Sequence, residues 1–178
     1  RRYRRDLHRI PELDFDLPQT IAYIEGVLAP LACEVTHPCP SCVCAFFDAG
    51  VGAAHATAIR ADMDALPIAE ATGAAFASTH PGKMHACGHD GHMAMLLAAA
   101  EEIMKEKLVR KGKLKLLFQP AEETSEGALS MLKGGAVDDI EILIGMHGRP
   151  IQECRVGEAA PALYYSAATH VKIDITGV

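Results

Sequence analysis

Three imidazoles, a thiol and a carboxylate fall within eight residues in His85-Ala86-Cys87-Gly88-His89-Asp90-Gly91-His92. Thiolate and neutral imidazole are good ligands for zinc, manganese or nickel, and carboxylates complete such sites. Three more polar groups each follow an apolar run. They are Asp62-Met63-Asp64 after residues 55–61, Gln119-Pro120-Ala121-Glu122-Glu123 after residues 113–118, and His147 after residues 142–146. Adjacent glutamates can divide the labour of metal-assisted hydrolysis: one coordinates the metal while its neighbour holds the attacking water and takes its proton.

Each group has a plainer explanation on its own. An Asp at a strand end is usually a turn or cap residue, a Glu-Glu pair after proline suits the first turn of a helix, and a lone histidine is more often hydrogen-bonded than metal-bound. Convergence is what favours a metal site. Ligands in open α/β sheets gather beyond the carboxyl ends of the strands. If the three runs are parallel strands, Asp62, Asp64, Glu122, Glu123 and His147 share one rim with the Cys/His loop. That loop feeds a helix, whose N-terminal field would favour the Cys87 thiolate.

The elements that must position these groups are legible as periodicities. Residues 1–9 read as a helix stopped by Pro11, and a second helix starts near Pro18 and carries Ile21, Ile24, Val27 and Leu28 at helical spacing. Apolar runs at 43–47, 56–61, 114–118 and 142–146 read as strands, the last three as fully buried ones. The clearest helix spans 90–108, with Met93, Leu96, Leu97, Ala100, Met104 and Leu108 in one stripe and Gly112 as its stop. A shorter helix covers 124–133 and ends at Gly134-Gly135. Strands alternating with helices predict an α/β fold: three layers, a mainly parallel sheet and helices on both faces. From 170 to 176 the alternation of Val171, Ile173 and Ile175 with polar residues predicts a half-exposed strand of a second domain.

Bulk properties narrow the function classes. With 178 residues, 49% of them hydrophobic and 22% charged, the chain holds one domain with a real core. A net charge of −6 argues against a nucleic-acid partner, and Arg1, Arg2, Arg4 and Arg5 read as a solvated helical turn. No apolar stretch is long enough to cross a bilayer, and no export signal follows the basic start. The expectation is therefore a cytoplasmic protein without a membrane partner. Its six cysteines are then reduced thiols. Cys39, Cys42 and Cys44 contain a CxxC pair, but they read more simply as small buried apolar residues than as a zinc or redox site.

Five blocks together resemble the aminoacylase branch of the M20 metallopeptidases, which includes hippurate hydrolases, N-acyl-amino-acid deacetylases and auxin-conjugate hydrolases. They are Arg4 to His8 with Pro11-Glu12-Leu13, Arg60 to Ile68, Met84 to Asp90, Phe118 to Glu123, and Gly145-Met146-His147. The resemblance implies a zinc-peptidase-like catalytic domain holding two divalent ions, zinc or manganese. It matches Cys87, His89, Glu123 and His147 to metal ligands and Glu122 to the general base. Asp64, with Asp62, matches a catalytic motif beside the metals, where a carboxylate orients a ligand. His85 and His92 receive no role, and Asp90 is expected to cap the following helix.

The implied reaction is cleavage of the amide bond of an N-acyl amino acid or small peptide, giving a carboxylate and a free amino acid. The family also carries an inserted lid domain that mediates homodimers, and a last ligand histidine beyond it. The expectation is thus a catalytic-domain portion at 1–168, a first lid strand at 169–178, and a chain cut short of the rest. Two other readings remain: a cysteine hydrolase using Cys87 with His85 or His89 as base, and an inactive fragment that only binds metal or a partner.

Overall fold

The structure, a computed structural model, describes residues 1–52, 54–148 and 155–159. Helix α1 (Arg2–His8) buries Tyr3, Leu7 and His8, and α2 (Pro18–Leu28) buries Thr20, Ile24 and Leu28. Pro18 starts α2 where its missing N–H costs nothing. The buried Glu12 carboxylate caps the same helix by accepting the N–H groups of Gln19 (3.2 Å) and Thr20 (2.9 Å).

The strands are β1 (Glu34–Thr36), β2 (Val43–Asp48), β3 (Ala56–Asp62), β4 (Lys113–Gln119) and β5 (Ile140–Gly145), in the order β1-β2-β4-β3-β5. β3 pairs in parallel with both β4 and β5, while β1–β2 and β2–β4 are antiparallel, so the sheet is mixed. The three strands that end in chemistry-bearing residues are the parallel ones. Between β3 and β4 runs α3 (His89–Lys105), and between β4 and β5 runs α4 (Gly127–Lys133). The chain steps from β3 to β4 in one direction and back across β3 to β5 in the other. Crossovers of the same hand then place α3 and α4 on opposite faces.

Two apolar clusters show those faces. Leu7, Ile24, Met93, Leu96 and Leu97 of the helices pack on Val43, Ala45, Phe47, Ala61, Leu116 and Phe118. On the other side Met131 and Ala136 pack on Cys39, Cys42, Cys44, Ala58 and Leu117. The alternation within β2 and β4 follows the period of two of a strand. The cysteines are thus core filling, as expected. Burial, followed by the neighbouring Cys39 and Cys44 thiols, pushes the Cys42 thiol far up, so it stays protonated.

Three sequence expectations need correction. α3 ends at Lys105, because Lys107 adopts a left-handed turn (φ 50°) closed by Leu108 N–H to Ile103 (3.0 Å) and Lys107 N–H to Met104 (3.3 Å). Leu108 therefore leaves the stripe and is 57% exposed, and Gly112 serves the turn into β4. β5 is not buried: Ile142, Leu143 and Ile144 are exposed, because among the described residues β5 is the outermost strand and pairs with β3 alone. Residues 124–126 lie in turns, and the short helix begins only at Gly127.

The chain divides into two compact units, Arg1–Gly148 and Arg149–Val178. Of the second, only the turn at 155–159 is described, closed by Glu158 N–H to Arg155 (3.0 Å). The strand expected at 170–176 and the boundary expected at 169 lie outside the described residues. Among the described residues no helix is long and apolar enough to cross a membrane.

The start of α4 yields a test. Alanine for glycine in a helix usually stabilises by about 1 kcal/mol. A Cβ on Gly127, however, would overlap the Pro120 carbonyl, which is backbone and cannot yield. Gly127→Ala is expected to destabilise by about 1–3 kcal/mol, read as a lower urea midpoint at unchanged m-value. An unchanged or higher midpoint would contradict the close approach.

Candidate metal centre

The carboxyl ends of β3, β4 and β5 meet on one rim, and the loop 85–88 crosses it into α3. An antiparallel bridge pins that loop: Leu66 and Met84 exchange both backbone hydrogen bonds at 3.0 Å. Gly88, at φ 93°, makes the left-handed turn into the helix, a conformation that suits glycine. Cys87 and His89 thereby face Glu122 and Glu123 beyond β4 and His147 beyond β5.

Histidine hydrogen bonds determine what faces inward. The His89 Nδ1–H donates to the Asp64 carbonyl (2.8 Å), and the His147 Nδ1–H donates to the Gly148 carbonyl (2.7 Å). Both rings therefore turn Nε2 toward the cluster. His147 Nε2 lies 3.3 Å from Cys87 Sγ. His89 Nε2 lies 3.5 Å from Asp62, 3.7 Å from Glu122 and 3.8 Å from Glu123. Ligand atoms of Cys87, His89 and Glu123 all lie within 4.8 Å of one another, as do those of Asp62, His89, His92 and His147. All four residues matched to ligands by resemblance are thus brought together.

This geometry suits a cation. Among the described residues, His89 Nε2 and Glu123 Oε1 are buried with no hydrogen-bond partner, although buried polar atoms normally find one. Burial opposes charge on His89, yet Asp64, Asp62 and Glu123 outweigh it and raise its pKa. Burial raises Glu123, opposed by His89 and Cys87 and aided by Glu122. Burial, followed by Glu123, Glu122 and Asp62, pushes the Cys87 thiol up to about 12. The expected helix-favoured thiolate is therefore corrected: burial, and after it the surrounding carboxylates, overwhelm the helix N-terminus. A divalent ion among these groups would reverse that balance, because a coordinated thiol loses its proton.

Behind the cluster, Asp64 is fully buried, and its two carboxylate oxygens accept the N–H groups of Glu122 (2.9 Å) and Glu123 (3.0 Å). One side chain thus clamps the backbone of both glutamates, while its carbonyl orients His89. The clamped turn contains Ala121 at φ 47° and Ser125 at φ 61°, positions strained for a side-chain-bearing residue. Asp62 is also fully buried. Its oxygens accept from His92 Nδ1 (2.6 Å) and Arg60 Nη1 (2.6 Å). Burial disfavours its charge, but the His92 hydrogen bond and the charges of His89 and Arg60 prevail and hold its carboxyl far below the usual range.

Sequence reasoning missed Arg60 and His92. Arg60 stands two residues before Asp62 on one strand face, and His92 stands three after His89 on one helix face. Those spacings are the only signal. Asp90 does not cap α3; it accepts from His8 Nδ1 (2.8 Å) and Arg4 Nε (3.2 Å), joining α3 to α1. His85 is buried with neither ring nitrogen paired, and burial lowers its pKa to about 4.

The model for peptidase family M20/M25/M40 matches residues 58–176. The chain belongs to this family. It is 42% identical over 176 residues to N-acetyl-L-cysteine deacetylase of Bacillus subtilis, covering 98% of this chain and 42% of that protein. It is 40% identical over 158 residues to N-acyl-L-amino acid amidohydrolase of Geobacillus stearothermophilus, covering 87% of this chain and 42% of that one. A crystal structure of a dinuclear metal-binding M20 peptidase from Bacillus subtilis superimposes with a TM-score of 0.79 at 38% identity, over 84% of this chain and 42% of the other. This M20 chain thus spans less than half the length of these relatives.

The clamp predicts a specific loss. Asp64→Ala leaves two backbone N–H groups without their acceptor and frees the Glu122-Glu123 turn. Affinity for Zn2+ or Mn2+ is expected to fall about 10–100-fold, the range for removing a ligand-orienting partner, by isothermal titration calorimetry. Wild-type affinity in Asp64→Ala would show that the clamp does not set ligand position.

Proposed function

We propose that this chain carries the metal-binding half of a hydrolase active site that cleaves the amide bond of N-acyl amino acids. The observation that carries the reading is His89 Nε2, buried and without a hydrogen-bond partner, facing Asp62, Glu122 and Glu123 at 3.5–3.8 Å. Acceptors crowd in this way where a cation is to sit between them. We assign Cys87, His89, Glu123 and His147 as its ligands, with zinc or manganese as the ion and two ions in a complete site. The dinuclear M20 neighbour supports that number. A divalent ion held by these residues would supply a lowered water pKa and polarisation of the scissile carbonyl.

The adjacent glutamates divide their roles by depth. The Glu122 side chain is 36% exposed and that of Glu123 22%. Glu122, on the open side, takes a proton from the attacking water as its oxygen bonds to the carbonyl carbon. It then gives that proton to the leaving nitrogen as the C–N bond breaks. Asp64 keeps Glu122 and Glu123 in register, and Asp62 holds His92. The substrate class rests on the names of the relatives, an N-acetyl-cysteine deacetylase and an N-acyl-amino-acid amidohydrolase. We further propose a cytoplasmic setting, in keeping with the free thiols of Cys33, Cys39, Cys42, Cys44 and Cys87. A longer form would act on small molecules as a homodimer.

A cysteine-nucleophile mechanism fits poorly. Reactive thiols need electropositive surroundings, and Cys87 sits among carboxylates that raise it.

The test is Glu122→Gln in the longest natural product containing this sequence, assayed on N-acetyl amino acids. Turnover should fall about 10²–10⁴-fold, the usual contribution of a positioned acid–base group, with metal content retained. Chelation should abolish wild-type turnover, and Zn2+ or Mn2+ should restore it. Unaltered turnover in Glu122→Gln removes the base assignment, and chelator-resistant activity removes the metal reading.

A further inference from the structure

His92 lies one helical turn beyond His89, and its placement suggests a fifth ligand. Its ring stacks edge-on to His147 at 4.7 Å and lies 5.5 Å from the His89 ring. Its nitrogens, however, are both committed. The Gly148 N–H donates to His92 Nε2 at 2.8 Å, and a backbone N–H can only donate. Nε2 is therefore the unprotonated nitrogen and the proton sits on Nδ1, where it donates to Asp62 Oδ1 at 2.6 Å. Asp62 is in turn held by Arg60 Nη1, whose Nε binds Gln119 Oε1 at 2.8 Å. His92 is buried, which shields both bonds from solvent.

The geometry points to His92 as a positioning residue that braces His147 against the sheet, rather than as a ligand. β5 is the outermost strand, and beyond Gly145 the ladder no longer holds the chain. His147 is exposed, and its own Nδ1 bonds to the neighbouring Gly148 carbonyl. Among the described residues, the Gly148-to-His92 bond ties the backbone of this stretch to the interior. The tie runs from Gly148 through His92 and Asp62 to Arg60 and Gln119, joining the ends of β5, α3, β3 and β4. It sets where His147 Nε2 stands relative to Cys87 Sγ, 3.3 Å away. A histidine is needed because one side chain must accept at one end and donate at the other across the width of a ring.

This inference rests on the proposed metal site for its consequence but not for its geometry, and two substitutions separate its parts. His92→Gln keeps an acceptor near the Nε2 position and loses the donor to Asp62. His92→Asn keeps a donor near the Nδ1 position and loses the acceptor for Gly148. In the metal-free chain, hydrogen exchange at the Gly148 amide should be slow in the wild type and His92→Gln and fast in His92→Asn. In Co2+ titrations followed by the thiolate-to-cobalt absorption band, His92→Gln should bind within about threefold of wild type. His92→Asn should bind about 10–100-fold more weakly, the usual loss when a ligand's support is removed.

A Gly148 amide that exchanges equally fast in wild type and His92→Asn overturns the brace. So does an Asn variant that binds cobalt as tightly as wild type, or a Gln variant as weak as the Asn one. Loss of one bound ion in His92→Gln would instead make His92 a ligand, and so also overturns it. If the wild-type chain takes up no cobalt, the metal reading fails, while the exchange measurement still decides the brace.

Discussion

The rim of this sheet is organised around buried polar groups that lack partners of their own. His89 Nε2 stands 3.5–3.8 Å from oxygens of Asp62, Glu122 and Glu123, and among the described residues His89 Nε2 and Glu123 Oε1 are buried without a hydrogen-bond partner. Leaving one buried polar atom unsatisfied costs about 1–3 kcal/mol. Such an arrangement persists because the rest of the fold over-determines it, and a cation relieves it.

Over-determination is visible in how few backbone segments deliver the groups and how each is held. Asp64 clamps the Glu122-Glu123 turn with its carboxylate and orients His89 with its carbonyl. Asp62 accepts from Arg60 and His92, and His92 accepts from Gly148 beside His147. These partners leave the cluster no freedom to relax by rotating its rings. The strained Ala121 and Ser125 backbone is part of the same device, turning the chain sharply so that two adjacent glutamates lie at different depths. Membership of peptidase family M20/M25/M40 is in keeping with a site made this way.

Much of the framework was legible before any coordinates. The start of α2 at Pro18, the four principal strands and the α3 stripe follow from local spacing, and the mixed order of the sheet does not. Nothing in β2 marks it as antiparallel to β4, because both faces of the sheet are covered and both orientations bury the same residues. β5 reads as a buried strand from its apolar run alone, yet its position at the sheet edge leaves Ile142, Leu143 and Ile144 exposed. The end of α3 was misplaced because Lys107 takes the left-handed conformation that glycine usually signals.

Residue types and spacing alone determined which side chains could bind a metal and that they follow strand ends. Cys87, His89, Glu123 and His147 stood out among several candidates because ligand chemistry is a property of the side chain itself, and the family resemblance singled out these four. Tertiary structure decided which atoms face one another and what each is doing there. The Cys87 thiol is raised rather than lowered, because burial, and after it carboxylates distant in sequence, outweigh the helix beside it. Asp90 binds His8 instead of capping its own helix, and His92 accepts a hydrogen bond from Gly148, 56 positions further along the chain. The field at a side chain depends on every charge packed around it, and a hydrogen-bond partner is chosen by distance in space. Neither quantity is written in local sequence.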